Sequence, residues 1–261
     1  LECSDTIMRG VKAVKEHLGI KKVIFGIERN KPEAIDLMFS LTQGDSSYQV
    51  KPLESRYPQG AEKVLIEKTT GREVPRGGLP SDVGVIVMNV TTVSALGKFL
   101  ETGMPLTTKR LTVDGDAVNT PKNVEVIIGT PIREVLDFCG GLREDAAKVL
   151  MGGPMMGIAV PSTDLPVLKQ NNAVLAFSDK KAHLPKPSAC IRCGRCIDAC
   201  PIGLSPVEIA GAYNRGDVDA LNAMMVDLCM SCGCCTFVCP AKRPVAQTMN
   251  QAKLMQKKGG K

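Results

Sequence analysis

The sequence has no tryptophan, and only three tyrosines and six phenylalanines among its 261 residues. Proteins that bind single-stranded nucleic acid stack bases on aromatic side chains, so this shortage, with a mild net charge of +6, argues against a nucleic-acid partner. Long apolar runs are also missing, because runs such as 83–90 and 124–128 fall far below the ~18–20 residues that span a bilayer. We therefore predict no transmembrane helix, and contact with a membrane only through partner subunits.

Cysteine is scarce over most of the chain. Only two of the eleven cysteines, Cys3 and Cys139, lie outside residues 190–239. A disulfide framework in a secreted protein would spread its cysteines, whereas this clustering is typical of metal or cluster ligation in a reducing compartment. We therefore expect a cytoplasmic protein.

The remaining composition, 44% hydrophobic and 23% charged with a mean hydropathy of +0.02, is that of a globular protein. In the first hundred residues, apolar periodicity alternates between the helical and the strand pattern. It predicts helices at 6–18, from 30 onward and at 60–67, and strands at 22–27, 48–53 and 83–87, the last one buried. Alternation of this kind indicates an α/β domain with a parallel sheet over residues 1–103.

The pattern changes after Gly103 to short strands at 107–113 and 124–128 and a helix at 131–138. This succession predicts a small β-grasp domain over residues 104–160. Residues 161–187 are interpreted as a linker that contains one strand, at 173–177. The remaining residues, 188–261, form the third predicted domain.

Two cysteine motifs of the form C-x2-C-x2-C-x3-C-P lie in this third domain. The first comprises Cys190, Cys193, Cys196 and Cys200, and the second Cys229, Cys232, Cys235 and Cys239. All four positions repeat with one offset of 39 residues. In such motifs three cysteines bind one 4Fe–4S cluster, and the fourth binds the other cluster.

The predicted ligand sets are therefore crossed. Cluster 1 takes Cys190, Cys193, Cys196 and Cys239, and cluster 2 takes Cys229, Cys232, Cys235 and Cys200. Zinc sites pair two C-x2–4-C hooks and have no third cysteine at the same spacing. Disulfides do not explain why one pattern of four cysteines occurs twice at a fixed offset. We interpret Cys234, which is out of step, as a bystander, and Cys3 and Cys139 as apolar packing residues.

Residues 201–228 separate the two motifs and carry a helical apolar pattern. The pattern predicts two helices joined near residues 214–217, and thus an α-helical ferredoxin-like module instead of a compact β-containing ferredoxin. Basic residues gather around the motifs: Lys180, Lys181, Lys186, Arg192, Arg195, Lys242 and Arg243. They are interpreted either as a solvated face or as a docking patch for an acidic electron carrier such as ferredoxin.

Several segments together resemble the C subunit of the Rnf electron transport complex. They include Ala189-Cys190-Ile191-Arg192-Cys193-Gly194-Arg195-Cys196, Gly26-Ile27-Glu28-Arg29-Asn30-Lys31-Pro32-Glu33, Arg56-Tyr57-Pro58-Gln59-Gly60-Ala61-Glu62 and the Gly152-Gly153-Pro154 turn. The resemblance covers essentially the whole sequence. It implies a domain similar to the flavin subunit of respiratory complex I, then a soluble-ligand-binding β-grasp domain, and finally a dicluster ferredoxin-like domain.

The resemblance also implies FMN and NADH as ligands of the first domain. Tyr57 and Glu62 match the segment that lies near flavin and nicotinamide in the flavin subunit of complex I, and Asn89 matches an asparagine that borders the flavin. The sequence departs from that pattern at Ala61, where the family has a first glutamate, and at Met88, which precedes Asn89.

The family's glycine-rich flavin loop has no equivalent in this sequence, which also lacks a starting methionine. We expect the loop upstream of Leu1, and we expect this fragment alone to bind FMN and NADH weakly or not at all. The implied function is electron relay between NADH and ferredoxin, coupled to ion translocation by partner subunits at the inner face of the cell membrane. Two alternatives remain: a soluble electron donor to a reductase such as proline reductase, and a flavin-less electron wire or scaffold.

Overall fold

The computed structural model describes residues 1–259 and divides the chain into two compact units. The first unit is Leu1–Leu106, and the second begins at Thr107. Within the part of the chain that the structure describes, no helix has the length and apolarity needed to cross a membrane.

The first unit is built on a parallel pair of strands. Its elements are α1 (Ser4–His17), β1 (Val23–Glu28), α2 (Pro32–Thr42), β2 (Tyr48–Leu53), α3 (Glu62–Thr70), a 3-10 turn (Pro80–Val83) and α4 (Val90–Thr102). β1 and β2 pair in parallel, with Val23 opposite Tyr48. Helix α2 connects them, and buried Ile35 and Met38 pack against Val50. The predicted α/β alternation is thus confirmed as far as residue 70.

Helices α1 and α4 approach so closely that their backbones touch. A Cβ on Gly10 would collide with the carbonyl of Val93, and a Cβ on Gly97 with that of Thr6. The hydroxyls of Thr6 and Ser94 are hydrogen-bonded at 2.7 Å across the contact. Glycine at these two positions therefore permits the packing of the two helices.

The prediction of a strand at 83–87 is wrong. A 3-10 turn ends at Val83, Gly84 takes the left-handed conformation with φ 66°, and Ile86 is exposed. A strand requires a neighbour for its backbone hydrogen bonds, and in this unit β1 and β2 form the one sheet that the structure describes. The run of apolar residues is an extended connection that leads into α4.

The second unit opens with a five-stranded mixed sheet. Its strands are β3 (Thr108–Asp114), β4 (Lys122–Ile127), β5 (Ala146–Met151), β6 (Ile158–Ala159) and β7 (Ala173–Ser178), in the order β4-β3-β7-β5-β6. β7 runs parallel to β3, whereas its pairing with β5 is antiparallel. Helix α5 (Ile132–Phe138) packs on the sheet through Ile132, Val135 and Leu136.

β7 lies in the centre of the sheet. The sheet therefore extends beyond residue 160, into the segment that was predicted to be a linker with one strand. Val174 and Ala176 of β7 are fully buried in the same core as Leu111 and Val113 of β3. A strand inserted between two others cannot act as a flexible connection. The β-grasp fold therefore includes residues on both sides of the glycine-rich turn at 152–157.

Helices and the loops between them form the rest of the second unit. The helices are α6 (Asp179–Ala182), α7 (Arg195–Asp198), α8 (Pro206–Arg215), α9 (Val218–Ala223), a 3-10 turn (Val226–Leu228), α10 (Cys234–Phe237) and α11 (Val245–Gly259). The two helices predicted between the cysteine motifs are confirmed as α8 and α9. Their buried residues Ile209 and Leu221 share a core with Met249 and Ala252 of α11.

The close packing of α1 on α4 can be tested with Gly97→Ala. The added methyl group would collide with the Thr6 carbonyl, and overpacking of this kind costs about 1–3 kcal/mol. We expect faster hydrogen–deuterium exchange in α1 and α4. In the control Gly211→Ala on α8, the nearest neighbour of the new Cβ is Arg215 Nη1 at 3.4 Å, so exchange in α1 should not change. Unchanged exchange in both variants would contradict the backbone contact.

Candidate metal centre

The two cysteine loops repeat each other in backbone conformation as well as in sequence. The residue before the second cysteine is left-handed in both loops, at Arg192 (φ 54°) and Ser231 (φ 59°). The residue after it is left-handed too, at Gly194 (φ 76°) and Gly233 (φ 84°). A non-glycine residue with positive φ is uncommon and typical of functional sites. Both loops therefore make the same tight double turn around their second cysteine.

The repeat continues beyond the loops. Each third cysteine lies in a short helix, Cys196 in α7 and Cys235 in α10. The fourth cysteines follow as those helices end, and the longer helices α8 and α11 then begin at Pro206 and Val245, again 39 residues apart. The sequence repeat is thus a structural repeat of loop, short helix and long helix.

The structure brings Cys196 together with three other thiols. Burial raises the pKa of Cys196, and the nearby thiols of Cys190, Cys193 and Cys239 raise it further. The first two neighbours belong to the same motif, whereas Cys239 comes from the second. This grouping has the same four members as the first predicted ligand set.

A second group forms around Cys235. Burial is the main cause that raises the pKa of this thiol to about 12, with contributions from Cys229, Cys232 and Cys200. Burial likewise raises the pKa of Cys229, again with Cys200 and Cys232 as neighbours. Cys200 thus lies with the three cysteines of the other motif. Because cluster ligands are thiolates, cluster assembly at such thiols releases protons.

The donor set suits a cluster better than a single ion. Among the described residues, no disulfide joins any cysteines. The thiols of each group are neighbours, but no three His, Cys, Asp or Glu side chains among these residues lie close enough to hold one metal ion. Each group instead offers four thiols, the ligand chemistry of a 4Fe–4S cluster. The residues present therefore fit two such clusters.

Backbone N–H groups point at two of these sulfurs. Arg192 N donates to Cys190 Sγ at 3.4 Å, and Leu204 N donates to Cys200 Sγ at 3.3 Å. Hydrogen bonds to ligand sulfurs help to set the reduction potential of a cluster. The double turn at Arg192 and the segment after Cys200 therefore each supply a donor that suits a thiolate.

The two groups differ in exposure. In the first, Cys190 and Cys193 are exposed. In the second, Cys232 and Cys235 are buried, each with 9% of its surface accessible. One of the two sites thus opens to solvent and the other is covered.

Part of this cover comes from the β-grasp domain. A Cβ on Gly233 would lie 2.9 Å from the backbone oxygen of Met155, in the glycine-rich turn at 152–157. The turn therefore rests directly on the second cysteine loop. Neither residue stood out in the sequence as part of the site, because their contact joins segments that are far apart in the chain.

Cys234 lies inside the second loop, and its thiol is close to Cys232 and Cys200. Its thiol is buried and hydrogen-bonded to Cys232, and burial is the main cause that raises the pKa of Cys234 to about 11. At neutral pH it is therefore a protonated thiol. Cys139 is completely buried in the β-grasp core, which agrees with its interpretation as a packing residue.

The residues predicted near flavin and nicotinamide lie in the first unit. Tyr57 is half exposed in the loop before α3, and Glu62 begins that helix. Asn89 caps α4, where its Oδ1 accepts a hydrogen bond from Thr91 N at 2.9 Å. One oxygen of Asn89 is thus engaged within its own helix.

Gln59, two residues after Tyr57, was not predicted as a site residue from the sequence. Its side chain is 8% exposed, and no acceptor lies within hydrogen-bond distance of its Nε2 among the residues that the structure describes. A buried unpaired donor is costly and requires an explanation. An acceptor on a bound ligand would satisfy it, so this amide fits the margin of a polar ligand site.

Comparisons with known families agree with this division of the chain. Residues 1–98 match the model of the Nuo51 FMN-binding domain, residues 110–159 that of the SLBB domain, and residues 184–254 that of a 4Fe-4S dicluster domain. The predicted fold class is therefore confirmed in all three parts.

Curated relatives match across these domains. The C subunit of the proton-translocating ferredoxin:NAD(+) oxidoreductase complex of Clostridium ljungdahlii is 46% identical over 206 residues, which cover 79% of this chain and 45% of the relative. The chain belongs to this C-subunit family. Its identity to the Na(+)-translocating counterpart of Acetobacterium woodii is 42%, over 81% of this chain and 48% of the relative.

A third member of the C-subunit family is more distant. The C subunit of the ion-translocating oxidoreductase complex of Rhodobacter capsulatus is 36% identical, over 84% of this chain and 44% of the relative. The chain thus spans about half the length of the curated relatives it matches.

Metal analysis of single-cysteine variants tests the two groups. Anaerobically purified chain should contain about eight iron atoms and eight sulfides, the content of two 4Fe–4S clusters. Cys193→Ala and Cys232→Ala should each lose about half of both. Cys234→Ala is the matched control from the same loop and should keep its full iron content. Zinc without sulfide in the unsubstituted chain would contradict the cluster assignment.

Proposed function

We propose that this chain relays single electrons between ferredoxin and an FMN and NADH site, as part of the C subunit of an ion-translocating Rnf complex. The observation that carries the proposal is the assembly of two four-thiol groups in one compact unit. Each 4Fe–4S cluster, when bound, accepts and releases one electron. The function of this segment is therefore electron transfer in a ferredoxin:NAD oxidoreductase.

The proposed ligands follow the two thiol groups. Cluster 1 is bound by Cys190, Cys193, Cys196 and Cys239, and cluster 2 by Cys229, Cys232, Cys235 and Cys200. Electrostatic neighbours of Cys196 and Cys235 support this crossed assignment. Because the third cysteine of each motif lies in a short helix and the fourth follows two residues after that helix ends, each short helix connects one cluster to the other. This connection keeps the two clusters close enough for rapid electron transfer.

An acidic electron carrier, ferredoxin, is proposed to dock beside cluster 1. The exposed thiols of this site lie next to Arg192 and Arg195, both exposed. Ile191, 67% exposed, adds apolar surface in the same loop. Opposite charges on two partners accelerate their encounter. Exposure therefore favours cluster 1 over cluster 2 as the point of exchange with the carrier.

Not every basic residue near the motifs is available for docking. Lys181 is paired with Asp116 at 3.7 Å, and Arg243 Nη1 donates to Ser188 O at 3.2 Å. The remaining basic residues, including Lys186 and Lys242, are exposed. The docking patch is therefore centred on the first cysteine loop.

The FMN and NADH site of the full-length protein is proposed to include Tyr57, Gln59, Glu62 and Asn89. The match of residues 1–98 to an FMN-binding domain and the unpaired amide of Gln59 support this location. Among the described residues, Arg76-Gly77-Gly78 leads into a four-residue 3-10 turn and not into a long helix that could cradle phosphate.

The neighbours of this chain are proposed to be the other subunits of the complex. The relatives' names describe subunits of ion-translocating complexes. The chain would then lie on the cytoplasmic face of the cell membrane, held there by those subunits. The alternative is a soluble protein with the same domains that supplies electrons to a reductase. Isolation of the native protein distinguishes the two functions, because only a member of the Rnf complex would copurify with membrane proteins.

Electron transfer by the natural full-length protein provides the direct test. Reduced ferredoxin should produce the EPR signals of two reduced 4Fe–4S clusters, and NAD+ should then reoxidise them when FMN is bound. Cluster reduction without reoxidation by NAD+ would instead support a flavin-less electron wire. Failure of ferredoxin to reduce either cluster would contradict the proposal.

Charge reversal tests the docking patch. Arg192→Glu combined with Arg195→Glu should slow cluster reduction by ferredoxin about tenfold or more at low salt, because steering raises association rates by about 10-fold or more. The salt dependence of the rate should weaken as well. Stopped-flow absorbance provides the measurement. Lys169→Glu, at an exposed site of the β-grasp domain, is the control, and an equal loss there would argue against a local patch.

A further inference from the structure

Lys253 lies on the face of α11 that is turned toward the second cysteine loop. Its Nζ donates a hydrogen bond of 2.6 Å to the backbone oxygen of Cys229, and the contact is partly buried. The helix that carries it packs on α8, α9, α10 and the turn at 226–228. The ammonium group is therefore held in a fixed position beside the first ligand of the second thiol group.

The hydrogen-bond partner of the Lys253 ammonium is a backbone oxygen and not a carboxylate. Among the residues that the structure describes, no carboxylate forms an ion pair with it. A charge in a partly buried position is screened less than one in water. Lys253 thus imposes a positive potential on this thiol group.

The structural repeat places no equivalent lysine behind the first cysteine of the other loop. Cys229 corresponds to Cys190, and the offset of 39 residues places Asn214 of α8 at the position equivalent to Lys253. Asparagine is neutral, and Asn214 is exposed. The two sites therefore have the same ligands but differ in the charge placed behind their first cysteine.

We propose that Lys253 is a positioning residue that raises the reduction potential of cluster 2 relative to cluster 1. Reduction adds one electron and thus one negative charge, and a fixed positive charge nearby stabilises the reduced state. The higher potential makes cluster 2 a better acceptor for an electron from cluster 1, with no proton or bond moved. The inference rests on the proposed pair of 4Fe–4S clusters.

Redox titration followed by EPR tests the inference. Lys253→Met removes the charge and keeps most of the side-chain length. We expect the equilibrium for sharing one electron between the clusters to shift about tenfold toward cluster 1, which corresponds to about 59 mV for one electron. The midpoint potential of cluster 2 should fall, and that of cluster 1 should change less.

Two further variants separate charge from structure. Lys253→Arg keeps the charge and should retain most of the original potential difference. Lys257→Met removes an exposed charge one helical turn further along α11 and should leave both potentials nearly unchanged. An equal shift of both clusters, or no shift, in Lys253→Met would overturn the inference.

Iron analysis of each variant accompanies the titration. If the unsubstituted chain lacks two clusters, the proposed function itself fails. Lys253→Met and Lys253→Gln could both lose cluster 2 while Lys253→Arg and Lys257→Met keep it. That result would show that Lys253 is structural and would refute its effect on the reduction potential. With both clusters present, the measured potentials alone decide.

Discussion

The left-handed double turn around the second cysteine of each motif is the constraint on which the cluster-binding part of the molecule depends. Arg192 and Ser231 adopt this conformation without being glycine, at a cost of about 1 kcal/mol or more each. Such a conformation persists only where surrounding contacts require it. Here the turn brings three thiols of one loop together and directs the following short helix toward the other loop.

The crossed arrangement makes the core and the thiol groups interdependent. Buried Cys235 belongs to the same apolar core as Ile209 and Met249, and partly buried Cys196 packs against it. A displacement of α8 or α11 would therefore also displace a thiol that packs in this core. Because thiol groups of this kind form only in the folded chain, metal binding and folding are coupled.

Identical motifs acquire different environments in this fold. The first loop is exposed, whereas the second is covered by the turn at 152–157 and approached by Lys253 from α11. Neither feature belongs to the cysteine pattern. One site can thus face a partner while the other is shielded within the chain, although their ligands are the same.

Much of the fold followed from local patterns. Periodicity located α1, β1, β2, α5, α8 and α9, since their apolar faces are set by neighbours close in sequence. The same reasoning failed at 83–87, where an apolar run lacks a partner strand. It located β7 as a strand but assigned it to a linker, because the pairing of β7 with β3 and β5 joins residues far apart in the chain.

The sequence by itself determined that cysteine thiols are the cluster ligands, how the two motifs are spaced and that the chain belongs to the C-subunit family. These depend on residue identity and on short-range geometry. Only the tertiary structure decided which thiols are exposed, what covers Gly233, which amide at Gln59 is left unpaired and which lysine approaches Cys229. The physical reason is that burial and electrostatic potential are set by contacts between distant segments, and no local pattern records them.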